Sequence, residues 1–139
     1  MNDGMSVLFL VGILVVAVGL IVMIHLTRRT PKGLNKEKYQ EDWLKIEHLV
    51  GDDIVSQHMA IINADKLLDR ALKERGFKGR TVGERMCAAS REFTKRDAVW
   101  GAHKLRNKIA HEEDVKTNQQ LTRRVLVSYK YALKDIGAL

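Results

Sequence analysis

Residues 103–114, HKLRNKIAHEED, bring two histidines, an asparagine and an arginine close together in the chain. Imidazoles transfer protons near neutral pH, a guanidinium grips phosphate or carboxylate in a fixed fork, and an amide holds such groups in register. On a helix, His103, Asn107 and His111 recur every four residues and form one line of imidazole, amide and imidazole. With Ala98 at the origin and about 100° per residue, Ala102, Leu105 and Ile109 fall within about 40° of it. These are the expected core stripe of the helix. Arg106, Ala110, His103, Asn107 and His111 then spread over the other side, from about 80° to 220°. Read from the residues, that side is either a polyanion site, with Lys104 and Lys108 beside it, or an ordinary solvated face.

The elements that carry this cluster are all helical. After residue 35, apolar residues recur at helical spacing and no strand alternation bounded by turns occurs. A first segment runs from about Lys36 to Val50, with Tyr39, Trp43, Ile46 and Val50 inward, and Gly-Asp-Asp at 51–53 closes it. A second, from near Asp53 to Arg75, stops at Gly76. Thr81 and Glu84 have capping-box spacing and open a third, to about Phe93. A fourth runs from near Asp97 to the acids at 112–114. Thr117 and Gln120 repeat the capping-box spacing before a last helix with Leu121, Val125, Leu126, Tyr129, Leu133 and Ile136 on its apolar side. Short links between amphipathic helices predict an all-α, antiparallel bundle of four or five helices over residues 36–139.

Ahead of the bundle, residues 5–26 form an apolar run whose one ionisable side chain is His25. About 20 such residues span a bilayer core as a helix. The N-terminus before it, MNDG, lacks the basic n-region of a signal peptide, and no small-x-small cleavage pattern follows. The run, within residues 1–26, therefore reads as an uncleaved single-span anchor. Arg28, Arg29 and Lys32 flank it on the C-terminal side only, which places the bundle in the cytoplasm, on the inner face of the plasma membrane. Residues 27–35 make a basic linker broken by Pro31 and Gly33.

All 24 Lys and Arg follow the span, against 16 of the 17 acids. That excess suits RNA, DNA or anionic lipid, although part of it also serves topology. The single cysteine, Cys87, cannot form an internal disulfide and is expected to be a small buried apolar residue. His48 and His58 read as structural. No Cys/His cluster, paired-carboxylate motif or glycine-rich phosphate loop appears, so neither metal nor cofactor is expected. The basic stretch 72–80, LKERGFKGR, and Arg123/Arg124 read first as solvated faces.

LRNKIAH, at 105–111, resembles the R-x-x-x-x-H signature of HEPN domains, with Arg106 and His111 in the two diagnostic places and the polar residue after the arginine present as Asn107. Its position near the end of a penultimate helix, before one more long helix, is similar too. The resemblance covers residues 36–139 and implies a metal-independent endoribonuclease of toxin–antitoxin or phage-defence type, acting as a homodimer whose motif helices face each other across a basic cleft. His111 would be its general base or acid, Arg106 would neutralise charge on the phosphorane, and Asn107 would orient the phosphate or His111. Lys104, Lys108 and His103 would contact RNA, although a solvated position suits His103 better. Members paired with a nucleotidyltransferase carry a tyrosine two residues after the histidine. Glu113 stands there, which argues against that partner and leaves another antitoxin open. The same resemblance also fits a non-catalytic adaptor binding RNA, nucleotide or protein.

Overall fold

The computed structural model describes residues 3–27 and 33–139, with side chains from 4 to 24 and from 33 onward. Arg28, Arg29, Pro31 and Lys32, on which the orientation and linker expectations rest, lie outside the described residues. All described elements are α-helices: α1 (Asp3–Thr27), α2 (Lys36–His48), α3 (Ile54–Glu74), α4 (Val82–Ala88), α5 (Arg96–His111) and α6 (Gln119–Asp135). They fall into two compact units, one ending at Pro31 and the other running from Lys32 to Leu139.

The first unit is α1. Its segment Gly4–Ile24, 21 residues, is long and apolar enough to cross a membrane and is not buried against other protein. At about 1.5 Å per residue it measures about 31 Å, the thickness of a hydrocarbon core.

The second unit is the helical bundle. Four of its helices start with a side chain that accepts the amide three residues on: Asn35 from Lys38, Asp53 from Ser56, Thr81 from Glu84 and Asn118 from Leu121. Each satisfies a backbone donor the helix itself leaves orphaned. The last cap corrects the sequence reading. Asn118, not Thr117, opens α6, because the Thr117 hydroxyl is spent on the Gln57 amide oxygen, 2.9 Å away. Helix α3 ends in a left-handed Gly76 (φ 89°), which lets the Phe77 amide reach back to the Leu72 carbonyl. Helix α4 stops at Ala88, short of the expected Phe93, and turns lead from it into α5.

Cross-links between helices fix their directions. Arg70, late in α3, bonds Asp42 at 2.6 Å and Tyr39 at 3.4 Å, so α2 starts beside the end of α3. Thr94, ahead of α5, donates its amide to Asp135 at the end of α6. At the opposite end, Gln119 reaches Asp52 at 2.6 Å and Thr117 reaches Gln57. Thus α2 and α5 run one way, α3 and α6 the other. The core between them is apolar: Tyr39, Trp43, Ile61, Leu68, Leu72, Met86, Val99, Leu126, Tyr129 and Leu133 are all buried. Arg85 is buried too and holds the 76–81 loop down, donating to Asp69 and to the Gly79 carbonyl. Burial would raise the Asp69 carboxyl, but the Arg85 and Lys73 bonds hold it below the usual carboxylate range. Cys87, in contrast to the sequence expectation, is exposed.

Candidate functional site

The site grows from one acid. Asp65 lies on α3 between Ile61 and Leu68, on the arc that faces the core, and its exposure is 0%. A carboxylate without water needs partners on both oxygens, and three side chains from two helices supply them. The Oδ1 atom accepts from His103 Nδ1 at 2.7 Å and from the Tyr129 hydroxyl at 3.0 Å. The Oδ2 atom faces Arg106 Nε at 3.2 Å. Both atoms of that last pair are buried and neither has an aligned hydrogen bond, so their attraction is of charge to charge. Burial, and then the charge of Asp65, push the Tyr129 phenol far above its ordinary range.

A second layer continues from α5. Arg106 Nη1 donates to Asn107 Oδ1 at 3.1 Å, and Asn107 Nδ2 lies 3.2 Å from His103 Nε2. Donor logic settles the rest. An arginine nitrogen can only donate, so Asn107 must turn its oxygen toward Arg106 and its NH₂ toward His103. His103 Nε2 must then accept, which leaves the proton on Nδ1, where Asp65 takes it. The network is closed and polarised in one direction: Arg106 to Asn107 to His103 to Asp65. Trp100 adds an edge-on contact to the His103 ring, with centroids 6.0 Å apart.

This arrangement revises the expected faces of α5. Ala98 is exposed, while Val99, Ala102 and His103 are the buried residues of the helix, with Leu105 and Ile109 half-buried beside the core. His103, 7% exposed, is therefore neither a solvated residue nor an RNA contact, since both ring nitrogens are taken inside the fold. Asn107 does not orient His111 but braces Arg106 and His103. Sequence reasoning missed Asp65 and Tyr129. The available signal was an acid inside the apolar stripe of α3.

The remaining residues stay outward. Lys104, Lys108 and His111 are exposed, and His111 has no hydrogen bond or ion pair among the described residues. The Arg106 side chain is 25% exposed, and its Nη2 likewise keeps no partner among the described residues. Glu112, Glu113 and Asp114 follow as exposed acids, Asp114 in the left-handed region (φ 52°) where the chain turns away from α5. Arg106 and His111 lie about 140° apart around the helix, so one copy presents them on different flanks. No group of three or more metal-binding side chains occurs among the described residues. No protein-family model, curated protein or solved structure matches the chain.

Proposed function

We propose that the chain is a membrane-anchored, metal-independent endoribonuclease of HEPN type, with its bundle on the cytoplasmic face of the plasma membrane and a toxin or phage-defence role. One observation carries the reading. Arg106 faces a buried carboxylate at Nε and is bonded to Asn107 at Nη1, which leaves Nη2 without a partner among the described residues on a part-exposed side chain, five residues before an exposed His111 that has none either. A buried ionic network of this kind adds little to stability compared with apolar packing, and it is suited to pre-organising a charge.

The chemistry follows from these groups. His111 takes the proton of an RNA 2′-hydroxyl as its oxygen attacks the adjacent phosphorus. The bond to the 5′-oxygen breaks, and that oxygen is protonated by the His111 of a second copy. The products are a 2′,3′-cyclic phosphate and a 5′-hydroxyl. Arg106 stabilises the charge gathered on the phosphorane oxygens, and Lys104 and Lys108 hold flanking phosphates. The angular separation of Arg106 and His111 is why two copies, facing each other along α5, are needed.

A second reading has its own support. The exposed Glu112, Glu113 and Asp114 beside His111 repel phosphate, which favours a non-catalytic adaptor that docks a basic partner there. The two readings separate in one assay. Detergent-solubilised full chain is incubated with end-labelled RNA in EDTA. Cleavage to cyclic-phosphate ends, lost in His111→Ala by about 10²-fold or more, is the expected result. No cleavage, or equal cleavage by His111→Ala, removes the ribonuclease and leaves the adaptor.

A further inference from the structure

The two ends of the bundle carry opposite charge. Where α2 begins and α3 stops, Arg75, Lys78 and Arg80 follow one another with no acid between them. The turn between α4 and α5 and the start of α5 add Arg91, Lys95 and Arg96 against Glu92 and Asp97. None of these six cations is ion-paired among the described residues, and Lys95 alone has a ring partner, 4.0 Å over Tyr131. Arg70, Lys73 and Arg85 nearby are all paired, so the bare cations are the ones at the tip. Of the acids at this end, Glu84 accepts the Arg80 amide and Asp135 accepts from Thr94, while Glu37, Glu92 and Asp97 are exposed, so the cations here are in excess rather than alone. At the other end, Asp52, Asp53, Glu112, Glu113 and Asp114 stand against Lys116, with Lys108 and Arg123/Arg124 about a turn further in. Bare cations are thus concentrated at the tip where α2 begins, and acids at the tip where α5 ends.

Chain connectivity gives that asymmetry a direction. Residue 33, the first described after the apolar segment and its basic flank, leads into α2 at the cationic end. We propose that this end is a docking face for anionic phospholipid headgroups. Cations held within a Debye length of the leaflet, about 8 Å at physiological salt, feel its negative potential, while the acidic end is repelled. No large apolar side chain is exposed between Arg75 and Arg96, so the contact is electrostatic and reversible rather than insertive. Because α5 runs from this face to the opposite end, its Lys104–His111 half is held away from the lipid. RNA is the other polyanion such a face can bind. Lipid is favoured because the chain enters the bundle at this end, with residue 33 following within ten residues of the apolar segment Gly4–Ile24.

The only cysteine supplies the probe. Cys87 is exposed and lies in α4, at the cationic end. Full chain labelled there with a fluorophore is reconstituted into vesicles of phosphatidylcholine alone or with phosphatidylserine, each carrying a headgroup quencher. A Cys87→Ser/Glu113→Cys chain reports the acidic end. With phosphatidylserine, quenching at Cys87 should rise about twofold, fall back near 0.5 M salt, and be lost in Arg75→Gln/Lys78→Gln/Arg80→Gln. The Glu113 probe should not respond. Equal quenching of Cys87 in both vesicles, or an equal response at the Glu113 position, overturns the proposal. So does a Cys87 signal that answers to a short RNA on phosphatidylcholine vesicles and not to phosphatidylserine.

Discussion

Asp65, fully enclosed, is compensated only because His103 and Tyr129 bond its Oδ1 and the Arg106 charge faces its Oδ2, arriving from two other helices at once. That dependence explains what was legible. Arg106, Asn107 and His111 are visible as a spacing within one segment, and their identity alone raises the site. Asp65 is 38 residues from His103 and 64 from Tyr129, so no local window contains the network. The clue was negative: an acid at a position on α3 that should be apolar. Asp65→Asn keeps the shape but removes the charge facing Arg106. It is expected to lower stability toward the roughly 3–5 kcal/mol of a broken buried ion pair, somewhat less because Arg106 is partly exposed. Tyr129→Phe removes one hydroxyl and should cost about 1–2 kcal/mol. It should also change the pH response. The folded Tyr129 phenol is raised far above the unfolded value of about 10, so its contribution is fully present below that pH and is lost as pH rises past it. Tyr39, pushed up to about 12 chiefly by burial, acts in the same direction. Denaturant midpoints between pH 8 and 11 should fall for wild type and fall less for Tyr129→Phe. Parallel curves would mean that the hydroxyl does not titrate against Asp65.

At the scale of elements, α5 shows where periodicity runs out. Counting from Ala98 chose a stripe of small and aliphatic residues, yet the face that packs is rotated by roughly 80°, to Val99, Ala102, His103 and Arg106. The cause lies in the neighbour. A polar arc turns inward when the facing helix offers a counter-charge, and Asp65 on α3 does so. Helix existence and order were legible because each depends on local signals, the caps at Asp53 and Thr81 among them. The cap at Asn118 was missed by one residue because Thr117 has a tertiary partner in Gln57. The rotation makes a further position informative. Gly101 is exposed in mid-α5, and a Cβ there meets nothing within 4 Å. Gly101→Ala should therefore stabilise the bundle by about 1 kcal/mol through helix propensity alone. The measurement is the denaturant midpoint at unchanged slope. A loss of stability would show that this flank is not the open side of the helix.

For the molecule as a whole, the N-terminal helix and the bundle differ in what their surfaces expose, α1 being apolar along its length. The helix α1 itself needed no tertiary information to be read, because an apolar run this long is recognised by length and lack of charge whatever surrounds it. Every large apolar side chain from Met5 to Ile24 is exposed in the isolated chain, whereas large apolar side chains of the bundle are mostly packed. On the proposal that α1 spans a bilayer, a charge at its centre opposes insertion by about 2.5–3.5 kcal/mol. Val15→Asp/Val16→Asp puts two there, in a segment that is 0% buried and belongs to a separate unit from the bundle. Wild type should stay with membranes through high salt and alkaline carbonate and be released by detergent. The double variant should move to the soluble fraction, with the bundle still helical by circular dichroism and its denaturation unchanged. Wild-type protein that leaves the membrane in carbonate would reduce α1 to a surface-bound helix, and with it would go the argument that holds the cationic loops at a bilayer.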